Sequence, residues 1–104
     1  MKYEYIGWCK EGIHDKVWGV ILIEGGDCSL TGLFKHNKYL SFWGRRGAKL
    51  QTKVFQDYDL GVSEMFRKKE RKGYQRILER ELNEVYPEFR QDLEKTAMWA
   101  MLKL

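Results

Sequence analysis

Tyr39–Phe55 reads "YLSFWGRRGAKLQTKVF", and its alternation decides how the rest of the chain is read. Side chains in a strand point alternately to opposite faces. Leu40 and Phe42 therefore share one face, while Tyr39, Ser41 and Trp43 share the other, joined by Arg45 if the strand continues through Gly44. "GRRGAK" is expected to turn, with glycines marking a bend, and "LQTKVF" (50–55) to return as a strand. On that strand Leu50, Thr52 and Val54 form one face; Gln51 and Lys53 lie on the other. Leu40 and Phe42 already claim the apolar side, which leaves Trp43 as an expected exposed platform rather than a core residue.

Upstream, "YEYIGWC" (3–9) is rich in β-formers and reads as a first strand, followed by a polar turn over "KEGIHD" (10–15). "KVWGVILIE" (16–24) is a near-continuous apolar run, expected to be a strand buried on both faces. "GGDCS" (25–29) breaks it. A further strand is expected through Leu30–Phe34, with a turn at "KHNK" (35–38). Downstream the period becomes helical. Asp57 or Asp59 can cap a helix running to about Lys72, with Val62, Met65, Phe66 and Lys69 on one side and Gly73 as its terminator. A second helix is expected over Tyr74–Tyr86, stopped by Pro87. A third is expected from there, with Phe89, Leu93, Ala97, Ala100 and Leu104 along one face.

The expected fold is α+β: an antiparallel sheet of four to five strands, a packed helix, and one or two additional C-terminal helices. With 104 residues the chain is expected to form one core. The net charge of +4 is concentrated. Residues 31–76 hold twelve Lys/Arg against four Asp/Glu, whereas residues 1–30 and 77–104 are each mildly acidic. That distribution suits a local basic surface. The start "MKYEYIGW" does not read as a signal peptide, and the longest apolar run, Val17–Ile23, is far short of a bilayer span. A soluble, cytoplasmic protein with no membrane association is expected, in which Cys9 and Cys28 remain free thiols.

Taken in order, "KVWGVILIE", "FWGRRGAKLQTKVF" and "EMFRKKERKGY" resemble the WGR domain. That family carries an aromatic-bearing strand, a W-G-R-x-G turn, a Gln-containing return strand, and a helix with Phe and a terminal Lys-Gly-Tyr. The corresponding residues are Trp18, Trp43-Gly44-Arg45 with Gly47, Gln51, Phe66, and Lys72-Gly73-Tyr74. Arg46 stands where the family usually has an aliphatic residue, and Leu50 where it usually has glycine. The resemblance implies a WGR-like domain over 1–75 and a helical extension, 76–104, packed on the same domain. It also implies DNA-end or partner contact: Trp43 packing on a terminal nucleotide and Arg45 binding phosphate or a neighbouring protein.

The candidate nucleic-acid-binding residues are Trp43, Arg45, Arg46, Lys49, Lys53, Lys68, Arg71 and Lys72. Arginines beside glycines can approach phosphate closely. Lys68, Arg71 and Lys72 recur at three- and four-residue spacing and form one helical stripe. Cys9, His14, Cys28 and His36 have no close pair at metal-ligand spacing, and no nucleophile elbow, P-loop or dinucleotide fingerprint occurs. Neither enzymatic activity, a metal nor a cofactor is therefore expected. The favoured function is non-catalytic nucleic-acid binding, with DNA ends or nicks as ligand and RNA as the alternative. The competing class is a protein-interaction adaptor or inhibitor, encoded by a mobile element, that docks on a larger nucleic-acid-handling complex. In that case Met98, Trp99 and Leu102 on the last helix would contact a protein partner or a second copy.

Overall fold

A computed structural model describes residues 2–25, 37–57, 59–96 and 98–99. Strands β1 (Lys2–Glu11), β2 (His14–Gly25), β3 (Asn37–Arg45) and β4 (Gln51–Asp57) are followed by helix α1 (Asp59–Arg71). A two-residue strand, β5 (Gln75–Arg76), and two short helices, α2 (Glu79–Val85) and α3 (Phe89–Glu94), complete the order. The five strands form one antiparallel sheet in the order β4-β3-β2-β1-β5. The fold is α+β, and no described helix is long and apolar enough to cross a membrane.

The sheet is buried on both faces, and that follows from its central strand. Val17, Trp18, Val20 and Ile21 of β2 are all 3 % exposed or less. Alternation sends Val17 and Ile21 to one side and Trp18 and Val20 to the other. The first side joins Ile6, Leu40, Phe42 and Leu50 to Leu82, Tyr86, Phe89 and Leu93 of the α2–α3 layer. The second joins Tyr5, Cys9, Trp18, Val20 and Tyr39 to Val62 of α1, with Trp43, Met65 and Phe66 packed alongside. The molecule therefore has three layers: α1, the sheet, then α2 with α3. A register shift between Tyr3 and Tyr5 lets β1 serve both cores, because Tyr3 packs toward Phe42 and Phe89 whereas Tyr5 packs toward Trp18 and Phe66.

Helix α1 closes as its sequence requires. Val62, Met65 and Phe66 face the sheet, and Phe66 stacks on Tyr5 with ring centroids 4.4 Å apart. Gly73 takes φ +96°, a conformation that only glycine adopts without strain, and its N–H donates to the carbonyl of Glu70.

Several expectations need correction. The first turn is not six residues long: β1 and β2 pair as far as Glu11 and His14, leaving Gly12-Ile13 as a two-residue hairpin loop. Gly12 at φ +57° makes so tight a turn possible. The turn expected at 35–38 overlaps β3, which begins at Asn37. The strand expected at Leu30–Phe34 lies outside the described residues. No helix covers Tyr74–Tyr86 as a whole. Tyr74 is buried beside Cys9, Gln75–Arg76 pairs with Gly7 and Trp8 of β1, and the N–H of Ile77 donates to the carbonyl of Ile6. The open hydrogen-bonding edge of β1 outcompetes local helix propensity there. Only Glu79–Val85 remains helical, and Tyr86, before Pro87, leaves the helical region with φ −141° and ψ 74°. The third helix begins at Phe89 rather than at the proline. Ala97, Ala100, Leu102 and Leu104 lie outside the residues whose side chains are described.

Candidate functional site

The row of the sheet that begins at Trp43 carries the candidate chemistry. Trp43 pairs with Trp18 on β2 and with Gln51 on β4. The next row on the same face pairs Arg45 with Lys16, and Lys16 with Cys9. Trp43 is therefore not the free platform its parity suggested. The face opposite Leu40 and Phe42 is a second core, and Trp43 sits half-buried at its margin, packed with the residues that α1 covers.

Above this row, the last turn of α1 brings in Lys69. Its Nζ lies 5.3 Å from the centroid of the Trp18 ring and 5.6 Å from that of Tyr74. Lys16 approaches the same Tyr74 ring at 5.8 Å. Ammonium groups are attracted to aromatic faces at such distances. Partial burial holds the Lys69 pKa below the usual lysine value, and the neighbouring charges of Lys72 and Lys16 push it the same way. Among the described residues, none of Lys16, Arg45, Lys69 and Lys72 has a carboxylate at ion-pair distance. Half-buried charge normally acquires a partner. Here two half-buried lysines, Lys16 and Lys69, lie over aromatic rings without one, with the exposed Arg45 and Lys72 nearby.

Arg46 points the other way and is committed internally. Its Nε donates to Asp15 Oδ2 at 2.8 Å, its Nη2 lies 2.6 Å from the same oxygen, and its Nη1 donates to the carbonyl of Val85 at 2.6 Å. The backbone N–H of Arg46 also donates to the Asp15 carbonyl, and Trp8 Nε1 donates to Asp15 Oδ1 at 2.7 Å. Arg46 thus ties the Gly44–Gly47 turn to the β1–β2 hairpin and to the C-terminal carbonyls of α2, where a helix dipole favours a cation. Arg46, expected to bind phosphate, is placed in this bracing role.

Asp15 titrates accordingly. Partial desolvation raises its pKa, but the hydrogen bonds from Trp8 and Arg46, with the charges of Arg46 and Lys10, outweigh it and leave the carboxyl below its ordinary range. A depressed folded-state pKa contributes stability above the unfolded value near 4 and loses it as pH falls through the folded value. Replacing Arg46 with Met should cost about 1–3 kcal/mol at pH 7, because it strands the Asp15 carboxylate and the Val85 carbonyl. The gap between wild type and variant in urea denaturation should narrow steadily below pH 4. A gap independent of pH would exclude Asp15 as the partner that matters.

The remaining expected contacts are dispersed. Lys53 sits on the α1-side face of β4, opposite Ser41, and is exposed. Lys49 lines a depression with Gly47, Ala48, Asp92, Lys95 and Thr96, beside α3. Lys68 and Arg71 lie with Glu64 and Arg67 on the outward side of α1. The structure brings Trp43, Arg45 and Lys72 toward one end of one face and does not bring Arg46, Lys49, Lys68 or Arg71 to it. Met98 and Trp99, expected to meet a partner, pack in part against the α2–α3 core.

Lys16 and Lys69 were not among the expected binding residues. The signals were local: Lys16 shares strand parity with Trp18, and Lys69 falls on the helical stripe of Val62, Met65 and Phe66, where a lysine is out of place. No protein family, no curated protein and no solved structure matches this chain. The likeness to the WGR domain rests on the residues that carry it.

Proposed function

We propose that this protein is a non-catalytic nucleic-acid-binding module that takes DNA at ends or nicks. Lys16, Arg45, Lys69 and Lys72 hold phosphates, and Trp43 packs against a nucleotide. The observation that carries this reading is Lys69, held half-buried over two aromatic rings with the charges of Lys72 and Lys16 acting against its own. An arrangement serving stability alone would place a carboxylate there. An anion from outside relieves the crowding, and a phosphate backbone supplies anions in a row. The WGR-like "FWGRRG" turn supports the same ligand, with Arg45 in the role the resemblance gives it. Among the described residues no element is set up as a recognition helix for base edges, so these contacts position the ligand without selecting sequence.

The test is a titration of labelled blunt, nicked and single-stranded DNA, and of RNA, at several salt concentrations. Four phosphate contacts give a slope of log K against log salt of about −3.6 on duplex. Lys69→Met, which keeps the stem on Trp18 and Tyr74, should reduce that slope by about 1 and weaken binding evenly across sequences. Stronger binding to RNA than to any DNA would transfer the site to RNA. Absence of wild-type binding at low salt would overturn the proposal.

A further inference from the structure

The tip of the β1–β2 hairpin carries an apolar side chain that the fold does not use. Ile13 is 81 % exposed and belongs to neither core. Its place is the second position of a two-residue turn, where Gly, Asn, Asp or Ser is usual. Gly12 already meets the turn's conformational demand, so closing the loop does not require isoleucine. Isoleucine is also stiff, with its branched Cβ restricting χ1.

The support beneath Ile13 is unusually firm for a loop tip. Arg45 Nη2 donates to the Ile13 carbonyl at 3.3 Å. Two residues on, Asp15 is held by the backbone and the side chain of Arg46. The same Arg45 is paired across the sheet with Lys16. Of the hairpin's carboxylates, Asp15 is paired with Arg46, and Glu11 turns away from the Ile13 tip to lie beside Gly73 at the end of α1. A rigid aliphatic side chain is thus presented next to two cations of the phosphate-binding end.

We propose that Ile13 is a wedge that enters DNA where stacking is already interrupted, at a nick or a duplex end, while Arg45 and Lys16 hold the adjacent phosphates. This rests on the nucleic-acid reading above and deepens it by assigning the discrimination between interrupted and continuous duplex to one residue. Apolar side chains can part stacked base steps, and intact steps resist that. At a nick or an end most of the resistance is gone, so one small aliphatic group suffices. The same group then discriminates interrupted from continuous duplex without reading a base edge.

Three duplexes of one sequence separate the possibilities: one nicked with 2-aminopurine beside the nick, one blunt, and one closed by loops at both ends. Wild type should bind the nicked duplex about tenfold tighter than the closed one and raise the 2-aminopurine fluorescence as the base unstacks. Ile13→Ser should lose both effects, keeping affinity for the closed duplex within about twofold because its phosphate contacts remain. Ile13→Leu should retain them. Equal discrimination and equal fluorescence in wild type and Ile13→Ser would overturn the wedge and leave the nucleic-acid reading standing. A wild type that binds none of the three at low salt would overturn both.

Discussion

Replacing Gly19 with alanine should destabilise the fold by about 3 kcal/mol, at the upper end of what overpacking a core costs. Gly19 sits on β2 between Ile6 of β1 and Phe42 of β3. A Cβ at this position would lie 2.3 Å from Phe42 Cζ and 2.6 Å from the backbone oxygen of Tyr5. The phenyl ring cannot simply swing away. Phe42 is fully buried, with Phe89 at 4.8 Å and Tyr3 at 6.5 Å between ring centroids. The carbonyl belongs to the neighbouring strand, so relieving that contact means moving β1. Urea denaturation measures the loss directly. Phe42→Leu in the alanine background should recover part of it, because the shorter side chain vacates the space over position 19. A Gly19→Ala protein within about 0.5 kcal/mol of wild type would show that Phe42 does not lie across the glycine.

Phe89→Ala should cost about 3–5 kcal/mol, the usual range for deleting a buried aromatic ring. Phe89 is 1 % exposed and touches the rings of Phe42, Tyr86 and Tyr3, so its removal opens a cavity between the sheet and both short helices. Total stabilities of small domains are of the order of 5–15 kcal/mol, and a loss this size is severe. The variant also decides what the region after residue 76 is. If it were a loosely attached tail, truncating Phe89 would leave the unfolding of the sheet unchanged. Arg90→Ala, one residue on and exposed, should stay within about 0.5 kcal/mol and serves as the control.

Sequence alternation correctly paired Leu40 with Phe42 and set both against Trp43, and helical spacing located α1 and its glycine stop. Those features were legible because each is encoded within a few consecutive residues. β5 was not, since two residues carry no period; the edge of β1 makes them a strand. The second core escaped notice for a related reason. Parity states that Trp43 opposes Phe42, but not that α1 returns to cover that side. Arg46 and Asp15 stand 31 positions apart, and their union depends on the hairpin and the turn arriving at the same end of the sheet. Lys16 and Lys69 meet over Tyr74 only when three separate elements have packed.

The three-layer build also makes the molecule an electric dipole, which its modest net charge conceals. From Glu64 to Lys72 the α1 layer carries five cations and two carboxylates, whereas from Glu79 to Lys95 the opposite layer carries six carboxylates and three cations. With the sheet between them, the two charge centres lie on opposite sides of the body. A polyanion nearby exerts a torque on such a body before any contact forms, turning the α1 side inward and the α2–α3 side outward. Encounters with a polyanion would then begin with the α1 side facing it. Added salt erodes this advantage first in the association rate, over distances comparable with the Debye length of about 8 Å in physiological salt.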